Sequence, residues 1–518
     1  MFFGREGKET IGNRTFAAIS AAALLMLVIP YIPVLLNGGI IGIPLSDPSV
    51  ATDSDAYHNV WHFWWVGKAV GEGDDPRICT AVYPPHGISL AFDHVGWWDT
   101  LTAALVGSEG FPAAAYNLSL FIGTLLTALF GWLLARSWGM DRSGALFTAL
   151  ALAWMPSRTA HLLQHYQLAN MWAAVAALWL CSRYLKVRKT KYLVLYSAAV
   201  LVASFQSPFL ALLVLLATAA TLFVRDEWNS SLKLASAWAL PAAGAALWLL
   251  TSPGSRSEAA VMWQEAVYWA PEPQSFLIIS PFGPLSALLG MPMKMSWMSN
   301  VAEGVVTPGI TVIVLMAVYV MKRRDWRLPA AVLFVWLLSL GPELRILGRP
   351  LGIPLPFRAL RELPFMDGIR APSRLAVAGT VMAVLGAGAA LSRISTRWKY
   401  AILCVLALEM AVLRLHTLPD EVPEEMMSAG TEAVVTELPV DPAVRRYSWF
   451  QAACGYTRSY SFQARIPNID EEELLEDRND FKVYHRWLFT ADERETLDAL
   501  LVDVFPGASH MDSVWTEG

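Results

Sequence analysis

The sequence predicts an all-α polytopic membrane protein of about eleven transmembrane helices, followed by a small C-terminal extracytoplasmic α/β domain. Three observations predict it. Of the 518 residues, 55% are apolar and only 16% are charged, against roughly 25% charged in an ordinary soluble chain. Apolar runs of membrane length recur through the first 416 residues. The charge is also divided: residues 1–416 carry a net +8 and residues 417–518 a net −13. The mean hydropathy is +0.42. Such a composition excludes a disordered chain, a collagen-like or coiled-coil rod and a disulfide-stapled secreted module. Nothing in it resembles a nucleic-acid-binding face.

The first apolar run, roughly residues 15–36, is too long for a typical signal-peptide core. No small-x-small cleavage site follows it, so it reads as a retained span. Further runs begin near Phe111, Ser143, Leu168, Tyr192, Pro208, Leu232, Val305, Leu328, Leu375 and Tyr400. With a cytoplasmic N-terminus, the inner loops between these runs hold 19 bases against six acids. Every inner loop is then basic, as the positive-inside rule requires. An odd number of spans puts the acidic C-terminus outside, in a multi-pass protein of the plasma membrane. The domains expected are 1–416, transmembrane, and 417–518, extracytoplasmic.

Three outer segments are long, roughly 37–110, 252–304 and 342–374. Loops of this length are usually functional or disordered, and these are aromatic and Pro-rich rather than low in complexity. In the tail, 432–440 and 481–485 read as strands. Residues 491–505 have helical spacing, with Thr490 and Glu493 placed for a capping box. The cysteines Cys79, Cys181, Cys404 and Cys454 have no metal-ligand spacing. Cys79 and Cys454 both fall outside in this topology, but one possible pair is not a pattern, and all four cysteines are read as structural.

Chemistry concentrates in the first outer loop. Asp53 and Asp55 form an acidic pair just beyond the first span. In a helical continuation, Asp55, His58 and His62 share one face and Trp61, Trp64 and Trp65 the other. That pattern predicts a helix on the membrane surface with tryptophans at the interface. A carboxylate there suits a general base for a hydroxyl acceptor. Asp53, Asp55 and His58 also suit a divalent cation, magnesium or manganese, held against a phosphate. The plainer alternative is an amphipathic helix with solvated acids. Asp93, His94, Trp97 and Trp98 follow in the same loop. His161, Gln164, His165 and Gln167 form a polar patch at the outer end of the third span, and Glu303 precedes the eighth. The segment 342–374 holds Arg345, Arg349, Arg358, Arg361, Arg370 and Arg374 and no lysine. Arginine's planar fork suits bidentate phosphate recognition. The competing reading pairs these arginines with acids of the tail.

These residues together resemble the type-C glycosyltransferase superfamily, and within it the family 39-like prokaryotic branch. Thr52 to Asp55 resembles the acidic motif of the first loop. Pro85-His86-Gly87 resembles the turn, and His161 to Gln167 the His/Gln patch. Glu303 resembles the outer glutamate, and Arg370-Ala371-Pro372-Ser373-Arg374 the Arg-x-Pro-x-Arg stretch. The resemblance implies a lipid-linked sugar donor, inverting transfer outside the membrane, and a first-loop aspartate as base.

The function expected is transfer of a sugar from a polyprenyl-phosphate-type donor to a glycan, lipid or protein acceptor at the outer membrane face. Asp53 or Asp55 is the catalytic candidate. His58, His62, His94, His161, Gln167, Glu303, Arg370 and Arg374 are the substrate-binding candidates. The alternatives are a lipid or small-molecule transporter and a non-catalytic membrane scaffold with a glycan-binding tail. A transporter needs ionisable residues near mid-membrane, and Glu409 alone is placed for that.

Overall fold

The computed structural model describes residues 13–43, 54–84, 87–91, 93–252, 263–362, 368–422, 434–438, 445–458, 481–485, 509–510 and 514–516. The chain divides into two compact units. One comprises residues 1–36, 119–247 and 260–415, and the other 37–118, 248–259 and 416–518. The second unit joins the first long loop to the tail residues.

The first unit is helical. Four helices are long and apolar enough to cross a membrane: Phe16–Asn37, Pro112–Ser137, Pro208–Arg225 and Pro372–Leu391. Three of them open on proline, which fits the first turn because its missing N–H has no helical partner there. The protein is thus an integral membrane protein. The other seven apolar runs hold helices of 13–17 residues: Arg142–Trp154, Trp172–Val187, Thr190–Gln206, Ala239–Thr251, Ile310–Arg323, Arg327–Ser339 and Thr396–Met410. At 1.5 Å per residue these reach about 20–26 Å, short of a hydrocarbon core of about 30 Å. Local breaks shorten them. Arg188 and Arg324 close two of these helices in the left-handed conformation. Asn170 and Met171 separate Trp172–Val187 from the turn before it.

The helix Ala376–Leu391 is buried along its whole length. Small residues let its neighbours approach. A Cβ on Gly144 would lie 2.5 Å from the Gly388 carbonyl oxygen, so the crossing with Arg142–Trp154 needs glycine. Glu409 accepts hydrogen bonds from the backbone N–H groups of Ile310 and Thr311 (2.9 Å for Thr311). It thereby satisfies donors that the start of Ile310–Arg323 leaves unpaired.

Ion pairs join the turns of this unit. Lys399 pairs with Asp141, Arg188 with Glu227, and Arg327 lies 4.0 Å from Asp226. All of these residues come from loops expected to face inward. In 342–374 the strands Glu343–Ile346 and Arg349–Pro354 pair antiparallel. Leu347 and Gly348 both have positive φ at their turn, as a type I′ hairpin requires.

The second unit contains a five-stranded mixed sheet in the spatial order 509–510, 514–516, 481–485, 434–438, 457–458. Val434–Leu438 runs parallel to Phe481–His485 and to Thr457–Arg458. The strands expected at 432–440 and 481–485 are Val434–Leu438 and Phe481–His485. The helix expected at 491–505 and its capping box lie outside the described residues. Two contacts explain why the first loop belongs here. Ile40–Ile41 pairs antiparallel with Thr417–Leu418. Val82 bridges Arg458 in parallel, with Arg458 N–H donating to Ala81 O and Tyr83 N–H to Arg458 O.

Candidate functional site

The aromatic helix of the second unit spans Asp55–Glu72. Ser54 caps it, its hydroxyl accepting from Ala56 N–H at 3.3 Å. The helix does not lie on a surface. Trp61, Trp64 and Trp65 are buried, and so are His58 (7% exposed) and His62 (1%). The expectation of a polar face open to water is corrected by its neighbours. Trp61 Nε1 donates to Gln451 Oε1 at 2.8 Å, and Trp65 Nε1 to the Pro76 carbonyl at 3.0 Å. Ser108 Oγ donates to Phe63 O at 2.8 Å. Gln451 and Ser108 come from distant segments, so the sequence pattern of this helix alone does not reveal them.

Asp55 forms an ion pair with Arg445. His58 and His62 face Asp93, whose Oδ2 lies 3.8 Å from each Nε2. The His58 ring stacks on Trp61, with centroids 5.4 Å apart. Burial, with His62 beside it, lowers the His58 pKa to about 4, against the raising effect of Asp93. His58 is neutral at pH 7. Burial raises the Asp93 carboxyl, but the two imidazoles facing it outweigh this and hold it well below the ordinary carboxylate range. His94 is exposed, and its backbone N–H donates to Asp93 Oδ1 at 2.7 Å. Asp53 lies outside the described residues. Cys79 is a buried thiol, and no disulfide joins it to Cys454.

A second cluster lies in the helical unit. His161 ends the short helix Pro156–Leu162, and its Nδ1 is 3.3 Å from His165 Nδ1. Glu303 belongs to the turn Val301–Gly304, which Asn300 caps at 2.7 Å. Gln164 Oε1 accepts from Ala302 N–H at 3.3 Å and ties the two segments together. Glu303 is 2% exposed. Its Oε1 accepts from Arg374 Nε and Nη2 at 2.9 and 2.7 Å and lies 3.6 Å from His165 Nδ1. Ser373 Oγ donates to Oε2. Burial raises the Glu303 carboxyl, but Arg374 and then the histidines outweigh it and bring the pKa to about 2. Gln167 is buried beside this segment. The sequence pointed to His161, His165, Glu303 and Arg374 individually. It did not point to Ser373, whose neighbour Arg374 was the only visible signal.

The arginines divide. Arg374 pairs with Glu303 through Nε and Nη2. Arg370 is 52% exposed at its side chain, lies 3.7 Å from Glu265 and sits over the Trp269 ring. Its acidic neighbour is thus a residue of the 252–304 segment. Arg358 and Arg361 both lie over Trp263.

The family described as "Domain of unknown function (DUF6311)" matches residues 92–412. No curated protein matches the sequence significantly. Among solved structures, the arabinofuranosyltransferase AftD from Mycobacteria matches at 16% identity with a TM-score of 0.54. That match covers 99% of this chain and 40% of AftD, so the chain spans less than half the length of that protein. ArnT from Cupriavidus metallidurans, in the apo state, matches at 12% identity with a TM-score of 0.52, over 98% of this chain and 97% of ArnT. At these identities the likeness concerns the fold, which is the type-C fold of membrane glycosyltransferases.

Proposed function

The chain belongs to the DUF6311 family, and from that premise and its type-C fold we propose that it is a membrane glycosyltransferase. In this reading it moves a sugar from a polyprenyl-phosphate-type lipid donor to a glycan, lipid or protein acceptor at the outer face. The observation that carries the reading is the fold shared with an arabinofuranosyltransferase over 99% of this chain. The side chains are consistent with it. A transferase of this kind needs a base for the acceptor hydroxyl and cations for the departing phosphate, and no acid, because phosphate leaves without a proton. The Asp55 carboxylate is held in an ion pair with Arg445. Asp53 is therefore the first candidate for the base, with Asp55 positioning the helix start. Arg370, half exposed, is the candidate for donor phosphate, and Arg374 orients Glu303. Glu409, the one residue placed for the transporter alternative, accepts the backbone N–H groups at the start of Ile310–Arg323.

The test uses the full-length protein in nanodiscs with a panel of polyprenyl-phosphate sugars, with and without chelator. Asp53→Asn should lower turnover by about two to four orders of magnitude, as loss of a general base does. Asp55→Asn should cost less. Wild-type turnover in both variants on a working substrate removes the first-loop acids from the reaction. Turnover with no donor in the panel, by a protein that carries lipid across vesicles, would favour the transporter.

A further inference from the structure

His58 and His62 stand at i and i+4 on the aromatic helix, the spacing that sets two side chains on one face. Their rings meet edge to face with centroids 4.4 Å apart. Asp93, from the loop before the helix Trp97–Ala104, brings a carboxylate to the same point. Its Oδ2 stands 3.8 Å from both His58 Nε2 and His62 Nε2. That is too long for a direct hydrogen bond. It approaches the separation of about 3.4 Å between two ligands that each sit about 2.1 Å from one tetrahedral ion. One ligand atom from each of the three residues lies within 4.8 Å of the others.

The surroundings agree. Asp93 Oδ1 accepts the His94 N–H at 2.7 Å, which fixes the carboxylate and turns Oδ2 toward the histidines. Among the described residues, no hydrogen-bond partner meets Asp93 Oδ2 or either ring nitrogen of His62. Burying such groups unsatisfied costs several kcal/mol in general, and a cation among them supplies the missing interaction.

From this geometry we infer that His58, His62 and Asp93 bind one divalent transition-metal ion, zinc by preference, through the two Nε2 atoms and Oδ2. The donor set selects the metal. Two imidazoles and one carboxylate suit zinc, with manganese and iron weaker on such a site. Magnesium favours an all-oxygen shell and is excluded as the resident ion. Three protein ligands leave one tetrahedral position for water or an anionic oxygen, the pattern of sites where the metal takes part in chemistry. Asp55, one turn earlier, is engaged by Arg445 and does not fill that position. The cation expected on Asp53, Asp55 and His58 is thereby reassigned. The cluster of His161, His165 and Glu303 carries no such inference, because Arg374 and Ser373 occupy both Glu303 oxygens.

The inference stands apart from the transferase reading, since metal binding is measured without substrate. Full-length protein in detergent is stripped with EDTA, titrated with zinc chloride, desalted, and its metal counted by mass spectrometry. One zinc per chain is expected, and cobalt(II) in its place should absorb as a four-coordinate ion. Asp93→Asn and His62→Gln, both close in shape to the originals, should weaken zinc binding by about 100-fold or more, since even outer-shell partners cost 10–100-fold. His165→Ala should bind zinc as the wild type does. Absence of zinc in the wild type overturns the inference. So does unchanged affinity in Asp93→Asn and His62→Gln, or loss confined to His165→Ala.

Discussion

Glu303 shows how one buried carboxylate ties together three segments. It is almost wholly out of water, yet Arg374, His165, Ser373 and the Asn300 cap all converge on it. Its folded pKa of about 2 lies below the ordinary value of 4.5. Between those values the unfolded chain binds the proton and the folded chain does not, so stability rises with pH there. The contribution is complete above pH 4.5 and is lost as pH falls toward 2. A shift of this size corresponds to roughly 3 kcal/mol. Glu303→Gln should lower the thermal midpoint at pH 7, because Arg374 is left buried beside a neutral partner. It should also flatten the acid limb between pH 4.5 and 3. An acid limb as steep in the variant as in the wild type would show that Glu303 is not the titrating group. At this scale the sequence was partly legible. His58 and His62 are read as neighbours from helical spacing alone, whereas Asp93 joins them only through tertiary packing.

The aromatic helix shows where sequence pattern misleads at the level of an element. Its start is marked by the Ser54 cap. Its surroundings are not marked, because a face of histidine and tryptophan looks the same whether water or protein covers it. Gly67 records the cover. A Cβ there would come within 2.6 Å of both Glu109 N and Ser108 Oγ. In an exposed helix Gly→Ala gains up to about 1 kcal/mol. Here Ser108 can rotate, but Glu109 N is backbone and cannot. Gly67→Ala should therefore destabilise by about 1–3 kcal/mol, the usual cost of overpacking, read as a lower thermal midpoint. A midpoint unchanged or raised would mean that the turn at 108–110 gives way, and that this packing is loose.

For the whole molecule, the fold class was legible because apolar runs and charge sign are properties of composition. The pairing of the first loop with the tail was not, because the strand contact between 40–41 and 417–418 has no signal in either segment. The orientation of the termini joins both kinds of information. The positive-inside rule assigns 19 bases and six acids to the inner loops. The structure adds contacts that this assignment did not use. The turn at Asp141 pairs with Lys399, the turn at Arg188 with Glu227, and Asp226 approaches Arg327. Each contact joins two loops assigned inside, and none of the three joins an inner loop to an outer one. Glu303 likewise joins Arg374 and His165, and Glu265 approaches Arg370, all from segments assigned outside. Slipping the count by a single span between two partners would reverse the later one and set their contact across the bilayer. We therefore expect a reporter fused after Gly518 to register outside, one fused after Lys191 inside, and a cysteine placed at exposed Gly348 to react with an impermeant thiol reagent in intact cells. The Gly348 and Lys191 positions probe opposite ends of the helical unit, so both must agree with the Gly518 result. A cytoplasmic signal at Gly518 with the other two as expected would place the error after residue 374, in the spans at 376–391 or 396–410. Reversal of all three would invert the protein and move the arginine-bearing segment away from any outward-facing lipid donor.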